Sequence, residues 1–112
     1  MKNKLLMVWS SGDIEVANKL VLLYGSVILP RAYWDEATIM IWGPSAQLLA
    51  QNKALQAKVK AIMETGVHFN CCVVCSDEYG VSSVLEELGV ELTHTGEMLT
   101  FALQNDWKVL TF

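Results

Sequence analysis

The sequence has no apolar run long enough to cross a bilayer, which takes about 20 residues. Its longest apolar stretch, residues 20–30, is interrupted by Gly25 and Ser26. It also has no basic cluster, because its eight Lys and Arg residues are spread along the chain and the net charge is −4. Binding to a phosphate backbone needs concentrated positive charge. These two shortages predict that the protein has no membrane span and does not bind nucleic acid.

Signals for export and for a disulfide scaffold are missing as well. The apolar run near the start covers only residues 5–9, which is too short for the core of a secretion signal. We therefore expect a cytoplasmic protein whose three cysteines are free thiols. The chain has 112 residues, of which 53% are hydrophobic. This composition predicts one domain, residues 1–112, with a core that needs no disulfide or metal to hold it.

Short apolar runs alternate with amphipathic stretches along the chain. Strands are predicted at residues 5–9, 38–42, 67–71, 90–93 and 107–112. Helices are predicted at residues 13–28, from Ser45 to a stop at Gly66, at residues 78–88 and at residues 97–105. A crossover helix returns the chain to the same edge of a sheet, so this order indicates parallel pairing. The prediction is an α/β fold, a three-layer α/β/α sandwich with a five-stranded, mostly parallel sheet.

The carboxyl ends of parallel strands are where ligands and catalytic groups gather in α/β proteins. The predicted pocket residues at these ends are Ser10, Gly43, Pro44, Ser45 and His94. Ser45 is predicted to cap its helix, and its loop could approach an anion. His94 is ionisable near neutral pH and could contact a thiol or a substrate. No G-x-S-x-G motif occurs, so a serine hydrolase is not predicted.

All three cysteines lie close together at the end of the third predicted strand, as Cys71, Cys72 and Cys75. A thiol at a helix N-terminus faces unpaired amides and the positive end of the helix dipole, which favour the thiolate. Attack of a thiolate on sulfane sulfur would leave a persulfide, and a second thiol three residues away could resolve or accept it. Cys72 and Cys75 have this C-x-x-C spacing and are the predicted catalytic residues.

Other interpretations of the cysteines stay open. They could pack as small hydrophobic side chains, and because side chains alternate along a strand, one of Cys71 and Cys72 is expected in the core. Three thiolates and His94 could bind zinc, although structural zinc sites usually pair two chelating loops and only one is present. A thioredoxin-like motif normally follows the first strand of its unit, not the third. We predict no bound metal and no cofactor.

Several short motifs, taken in order, resemble the DsrE/DsrF-like (YchN-type) sulfur-relay family over essentially the whole chain. They lie at residues 41–46, 65–75, 79–81, 88–90, 95–97 and 107–111. In sulfur-carrying members the persulfide cysteine lies eight residues before a Gly-Val pair, and Gly80-Val81 matches this position to Cys72. The resemblance implies a DsrEFH-like fold and a persulfide carrier or sulfurtransferase-related role. It also implies sulfur donor and acceptor proteins as partners.

The resemblance further implies that the protein is a homo-oligomer, a homotrimer or a homohexamer. The first predicted helix supports an interface independently, because apolar residues surround it instead of forming one stripe. These residues are Leu20, Val21, Leu22, Leu23, Tyr24, Val27, Ile28 and Leu29. Trp34, which lies in a polar stretch, is a further candidate for contact between subunits.

A second class of function stays open beside the persulfide carrier. The protein could be a non-catalytic oligomer that binds a small ligand or a nucleotide in the strand-end pocket formed by Ser10, Gly43, Cys72 and His94. Sulfur loading separates the two hypotheses, because only the carrier gains sulfur on a cysteine.

Overall fold

Five strands form one parallel sheet in the computed structural model, which describes residues 3–112. The strands are β1 (Lys4–Trp9), β2 (Glu36–Ile41), β3 (His68–Cys72), β4 (Glu91–Thr93) and β5 (Lys108–Thr111). Their order in the sheet is β4-β3-β2-β1-β5, and every neighbouring pair is parallel. The predicted α/β class and five-stranded sheet are confirmed. Residues 1 and 2 of the predicted domain, 1–112, lie outside the described residues.

The helices divide unequally between the two faces of the sheet. They are α1 (Ile14–Val16), a π-helical segment (Ala17–Val21), α2 (Leu22–Gly25), α3 (Pro44–Ala50), α4 (Lys53–Glu64), α5 (Val73–Tyr79), α6 (Ser82–Leu88) and α7 (Thr95–Gln104). The first three crossovers step from β1 to β4 in one direction, so their helices share one face. The last crossover returns to β5 beside β1, which puts α7 on the opposite face.

Two hydrophobic clusters fill the spaces between these layers. Side chains alternate along β1, so that Met7 and Trp9 belong to the larger cluster, on the face of the helices that precede α7, while Leu6 and Val8 belong to the smaller one. The smaller cluster also contains Ala102 of α7. A strand buried on both faces needs a continuous apolar run, which is what the sequence of β1 provides.

The predicted single helix from Ser45 to Gly66 is wrong, because the chain breaks it into α3 and α4. Asn52 lies at the break and caps α4 by accepting a hydrogen bond from the Leu55 N–H at 2.9 Å. The Gln56 side chain donates to two carbonyls at the end of α3, those of Leu49 and Ala50. An Asn side chain that competes for backbone amides ends one helix and begins the next. The apolar stripe continues across the break, so the hydrophobic pattern of the sequence gives no sign of it.

The predicted helix over residues 78–88 is also wrong, and this difference affects the cysteines. Helix α5 begins at Val73, directly after β3, and ends at Gly80, whose φ of 71° is left-handed. Helix α6 follows as a separate element. As a consequence Cys72 is the N-cap of α5, and Cys75 lies in the first turn of that helix.

The other helix boundaries shift by a few residues. The predicted helix 13–28 is helical from Ile14 to Gly25, includes the π-helical segment and continues as turns. The last helix begins at Thr95, two residues before the predicted start. Among residues 3–112, no helix has both the length and the apolar character that a membrane crossing requires.

Candidate active site

The three cysteines lie at the carboxyl edge of the sheet, where β3 ends and α5 begins. Helices α3 and α7 also begin at this edge, because they follow β2 and β4, which flank β3. The first amides of a helix have no partner within the helix and carry partial positive charge. The parallel sheet therefore brings the N-termini of α3, α5 and α7 together near the cysteines.

Cys72 is the N-cap of α5, with an extended backbone (φ −61°, ψ 115°). Burial of the residue, which is 7% exposed, opposes ionisation of the thiol. Four groups outweigh that burial and lower the pKa of Cys72 through hydrogen bonding: the Cys75 amide, the Thr95 hydroxyl, the Cys75 thiol and the Val74 amide. Cys72 is therefore the cysteine that the site favours as a thiolate.

Cys75 has the opposite tendency. Burial of its half-buried side chain raises the pKa of the thiol, and its hydrogen bond to Cys72 and the nearby charges of Cys72 and Glu78 raise the pKa further. Only the backbone amide of Gly43 acts in the other direction. The two sulfurs therefore form an unequal pair, in which a Cys75 thiol donates to a Cys72 thiolate.

Cys71 belongs to the core. It is fully buried in the larger hydrophobic cluster, and its sulfur contacts the carbonyl oxygen of Cys72 at 3.6 Å. Burial, together with the nearby sulfurs of Cys72 and Cys75, raises the pKa of the Cys71 thiol to about 12. The expectation that one of the two neighbouring cysteines is a core residue therefore applies to Cys71.

Thr95 lies close to Cys72, and it was not among the predicted pocket residues. It is the first residue of α7 and is 1% exposed, and its hydroxyl lowers the pKa of Cys72. His94, which was predicted to contact a thiol, is the exposed N-cap of α7. In the sequence both residues lie in the polar run after β4. His94 was the residue predicted for the site because its side chain can carry a charge. A contact between His94 and a substrate stays a prediction.

Gly43 is the predicted pocket residue whose backbone amide acts on the Cys75 thiol. Its φ of 76° and ψ of −137° lie in a region that side chains with a Cβ rarely adopt. Gly43 is also the N-cap of α3, so the prediction that Ser45 caps this helix is wrong. Pro44, the exposed first residue of α3, fits that position because its missing N–H needs no partner there.

The two predicted pocket serines make backbone contacts within the fold. Ser45 is fully buried, and its hydroxyl donates to the Trp9 carbonyl and accepts from the Trp42 N–H at 3.2 Å. It thus connects the ends of β1 and β2. The Ser10 hydroxyl donates to the Phe112 carbonyl at 2.8 Å. A role for either serine in ligand binding stays a prediction.

The geometry of the cysteine loop bears on a zinc site. Across residues 3–112, no group of three or more His, Cys, Asp or Glu side chains is arranged to hold a metal ion. Cys71 cannot join Cys72 and Cys75 around one ion without leaving the core, because its side chain is buried in the larger hydrophobic cluster. A tetrahedral site that needs all three thiolates finds no support in this geometry.

An apolar groove lies between the first helices and β5. Its volume is about 570 Å³, and its walls are Lys19, Leu20, Leu23, Tyr24, Val27, Arg31, Tyr33, Leu110 and Phe112. Leu20 is 46% exposed and Leu23 is 58% exposed. Trp34, a predicted subunit contact, is half-buried within its own chain, and its indole N–H donates to the Tyr24 hydroxyl at 3.0 Å. The groove therefore brings several exposed apolar side chains together in one place.

Comparison with known proteins identifies the family of the chain. Its residues 20–112 match the model of the DsrE/DsrF-like family. A conserved protein of unknown function from Bacteroides thetaiotaomicron has a similar structure, with a TM-score of 0.94 at 25% identity over 98% of this chain and 95% of that one. The ychN protein from E. coli is similar in fold, with a TM-score of 0.71 at 18% identity over 100% of both chains. No curated protein matches the chain. Because the family model covers most of its length, the chain belongs to the DsrE/DsrF-like family.

Proposed function

We propose that this protein carries sulfur as a persulfide on Cys72 and passes it between protein partners. The observation that carries the proposal is the unequal thiol pair, in which Cys72 has a lowered pKa and Cys75 a raised one. A thiolate is the form that attacks sulfur, so Cys72 is the nucleophile. Membership in a sulfur-relay-related family supports the same chemistry.

Loading begins with attack of the Cys72 thiolate on the outer sulfur of a donor persulfide. A sulfur–sulfur bond forms at Cys72, the donor's own sulfur–sulfur bond breaks, and the donor leaves as a thiolate. Transfer repeats the step, with an acceptor thiolate attacking the outer sulfur on Cys72. The Cys72 thiolate is then the leaving group, and its low pKa favours departure. No net oxidation occurs in either step.

Cys75 acts as the protonated partner of Cys72 in this scheme. Its thiol stabilises the thiolate before loading and again when the acceptor takes the sulfur. If Cys75 were ionised it could attack the Cys72 sulfur of the persulfide. That attack would form a Cys72–Cys75 disulfide and release hydrosulfide. The raised pKa of Cys75 suppresses this discharge at neutral pH.

The charges near the thiols favour protein partners with neutral or basic surfaces. Residues 73–80 and 94–97 follow β3 and β4 and contain Asp77, Glu78 and Glu97 but no Lys or Arg. A small anionic donor such as thiosulfate would find no lysine or arginine in these segments, whereas a basic protein surface would be complementary to their carboxylates. We expect the relay to work in the cytoplasm, where thiols stay reduced.

We also propose that the protein assembles as a homotrimer or homohexamer through the apolar groove. Leu20 and Leu23 of the first helices and Leu110 of β5 expose large hydrophobic surfaces there. Apolar patches of this kind on a small domain are typical of interfaces. The charged residues Lys19 and Arg31 are also part of the groove wall, as expected for the polar rim of an interface.

Intact mass measurement after incubation with a sulfur donor tests the carrier function. The donors are a cysteine desulfurase with cysteine, and thiosulfate for comparison. The proteins are the wild type, Cys72→Ser, Cys75→Ser and Cys71→Ala. We expect a gain of about 32 Da, one sulfur, that a reductant removes. It should be absent in Cys72→Ser and present in the other two variants.

The result also identifies which cysteine carries the sulfur. A gain that disappears only in Cys75→Ser would keep the persulfide chemistry and overturn the role of Cys72. No gain with any donor, together with a small molecule that copurifies with both the wild type and Cys72→Ser, would favour the non-catalytic ligand-binding protein instead.

A further inference from the structure

We propose that Thr95 is a positioning residue for the reactive thiolate: its hydroxyl donates a hydrogen bond to the Cys72 sulfur and holds it at the start of α5. The inference rests on the proposed function only in taking Cys72 as the reactive thiol. Thr95 lies on a different helix from Cys72, so the contact joins α7 to the β3–α5 junction.

The burial of the Thr95 hydroxyl is the first observation. The residue is 1% exposed, and its Oγ1 atom has no hydrogen-bond partner of ordinary geometry among the residues that the structure describes. Buried hydroxyls nearly always have a partner, because an unpaired one loses its hydrogen bonds with water and gains nothing. The Cys72 sulfur supplies the missing acceptor, and it is a strong acceptor only as a thiolate.

The sheet register is the second observation. Cys72 pairs with Thr93 at the ends of β3 and β4, and Thr95 comes two residues later. After the turn at His94, Thr95 therefore lies beside the end of β3. Thr95 is also the first residue of a ten-residue helix, so its position is fixed by α7 and by the packing of Ala102 into the core.

The electrostatic effect agrees with the geometry. The Thr95 hydroxyl lowers the pKa of Cys72, together with the amides of α5 and the Cys75 thiol. The titratable groups around this sulfur are Cys71 and Cys75 of the same loop, and Glu78 of α5 acts on Cys75. All of them remain when the Thr95 hydroxyl is removed, so a change in Cys72 reactivity reports on that hydroxyl.

The test compares Thr95→Val, which keeps the shape of the side chain and removes the hydroxyl, with Thr95→Ser, which restores the hydroxyl. Thr100→Val is the matched control, because its hydroxyl lies on the same helix but donates to the Gly96 carbonyl at 2.8 Å. The measurement is the alkylation rate of Cys72 as a function of pH, resolved from Cys75 by peptide mass spectrometry.

We expect Thr95→Val to raise the apparent pKa of Cys72 by about one unit, the usual effect of one hydrogen bond to a charged group. Well below that pKa the thiolate fraction falls about tenfold and the remaining thiolate is about threefold more nucleophilic, so alkylation slows about threefold. Well above the pKa alkylation becomes about threefold faster. The two pH profiles therefore cross. Thr95→Ser and Thr100→Val should keep the wild-type profile.

A purely structural role for Thr95 predicts a different result. Altered access to the sulfur would change the rate by the same factor at every pH, and that result would overturn the proposal. An unchanged profile in Thr95→Val, or a Thr95→Ser variant that behaves like Thr95→Val, would also overturn it. If Thr95→Val does not fold, Thr95→Ala removes the same hydroxyl without added volume and is measured in its place.

Failure of this inference is distinguishable from failure of the proposed function. If the profile shifts but no donor loads sulfur on the wild type, Thr95 positions a reactive thiolate and the carrier function is wrong. If sulfur loads on Cys72 and the profile of Thr95→Val is unchanged, the carrier function stands and the role of Thr95 is wrong.

Discussion

Cys71 and Cys72 are neighbours in sequence and point to opposite faces of the sheet. The Cys71 side chain is fully buried in the larger hydrophobic cluster, where burial raises the pKa of its thiol to about 12. The Cys72 side chain lies on the side of α7, where hydrogen bonding outweighs burial and lowers the pKa of its thiol. The alternation of a β-strand thus separates a structural thiol from a reactive one within two residues.

This separation predicts a strict order of alkylation in the folded protein. Cys72 should react first at neutral pH, because only it is stabilised as a thiolate. Cys75 should follow, and Cys71 should react only as the protein unfolds. Site-resolved mass spectrometry after timed treatment with iodoacetamide measures the order. Denatured protein is the control, since all three cysteines should then react at similar rates. Equal and slow labelling of the three in the folded state would contradict the carrier function.

Cys71 should also make the stability of the protein depend on pH. Its thiol has a pKa of about 12 in the folded state, raised from 9.0 by burial and by the neighbouring sulfurs. Because this pKa is higher in the folded state than in the unfolded state, the contribution of the protonated Cys71 thiol to folding stability is fully present below pH 9. It is lost as the pH rises toward 12. The free energy of unfolding should therefore fall above pH 9, by at most about 1.4 kcal/mol per pH unit from this group.

The Cys71→Ala variant isolates that contribution, because Tyr and Lys residues titrate equally in both proteins. At pH 8 we expect the variant to be less stable than the wild type by about 1 kcal/mol, from the lost packing of the sulfur. At pH 10.5 the difference should shrink or reverse. Urea unfolding in the presence of a reductant measures both values. The same difference at the two pH values would show that Cys71 ionises as readily in the folded state as in the unfolded one.

The sequence predicted the sheet and the cysteine loop because both depend on local patterns. The apolar run of β1 and the C-x-x-C spacing need no knowledge of distant residues. The placement of Thr95 near Cys72 depends on the β3–β4 register and on the start of α7, which no local pattern contains. Ser45 shows the same limit: as a serine after Gly-Pro it resembled a cap, whereas its hydroxyl connects the ends of β1 and β2.

The persulfide on Cys72 should become less stable as the pH rises, because of Cys75. The raised pKa of Cys75 keeps this thiol protonated near neutral pH, and its ionisation at higher pH allows attack on Cys72. The wild-type persulfide should then decay to the Cys72–Cys75 disulfide and hydrosulfide, faster at pH 9.5 than at pH 7, by about tenfold or more. Intact mass and a hydrosulfide assay follow the reaction. The Cys75→Ser variant is the control and should form no disulfide at either pH. Rapid loss of the persulfide from the wild type at pH 7 would contradict the protective role of a protonated Cys75.

The subunit interface can be located with two leucines of equal exposure. Leu23 in the apolar groove and Leu103 on α7 are both 58% exposed, but they lie on opposite faces of the sheet. A charge placed in a dry interface must lose its hydration without gaining a partner, which costs several kcal/mol. Leu23→Glu should therefore convert the oligomer to a monomer in light scattering at matched concentration, while Leu103→Glu leaves it intact. Dissociation by Leu103→Glu alone would move the interface to α7, and a wild type that is monomeric at high concentration would contradict the assembly itself.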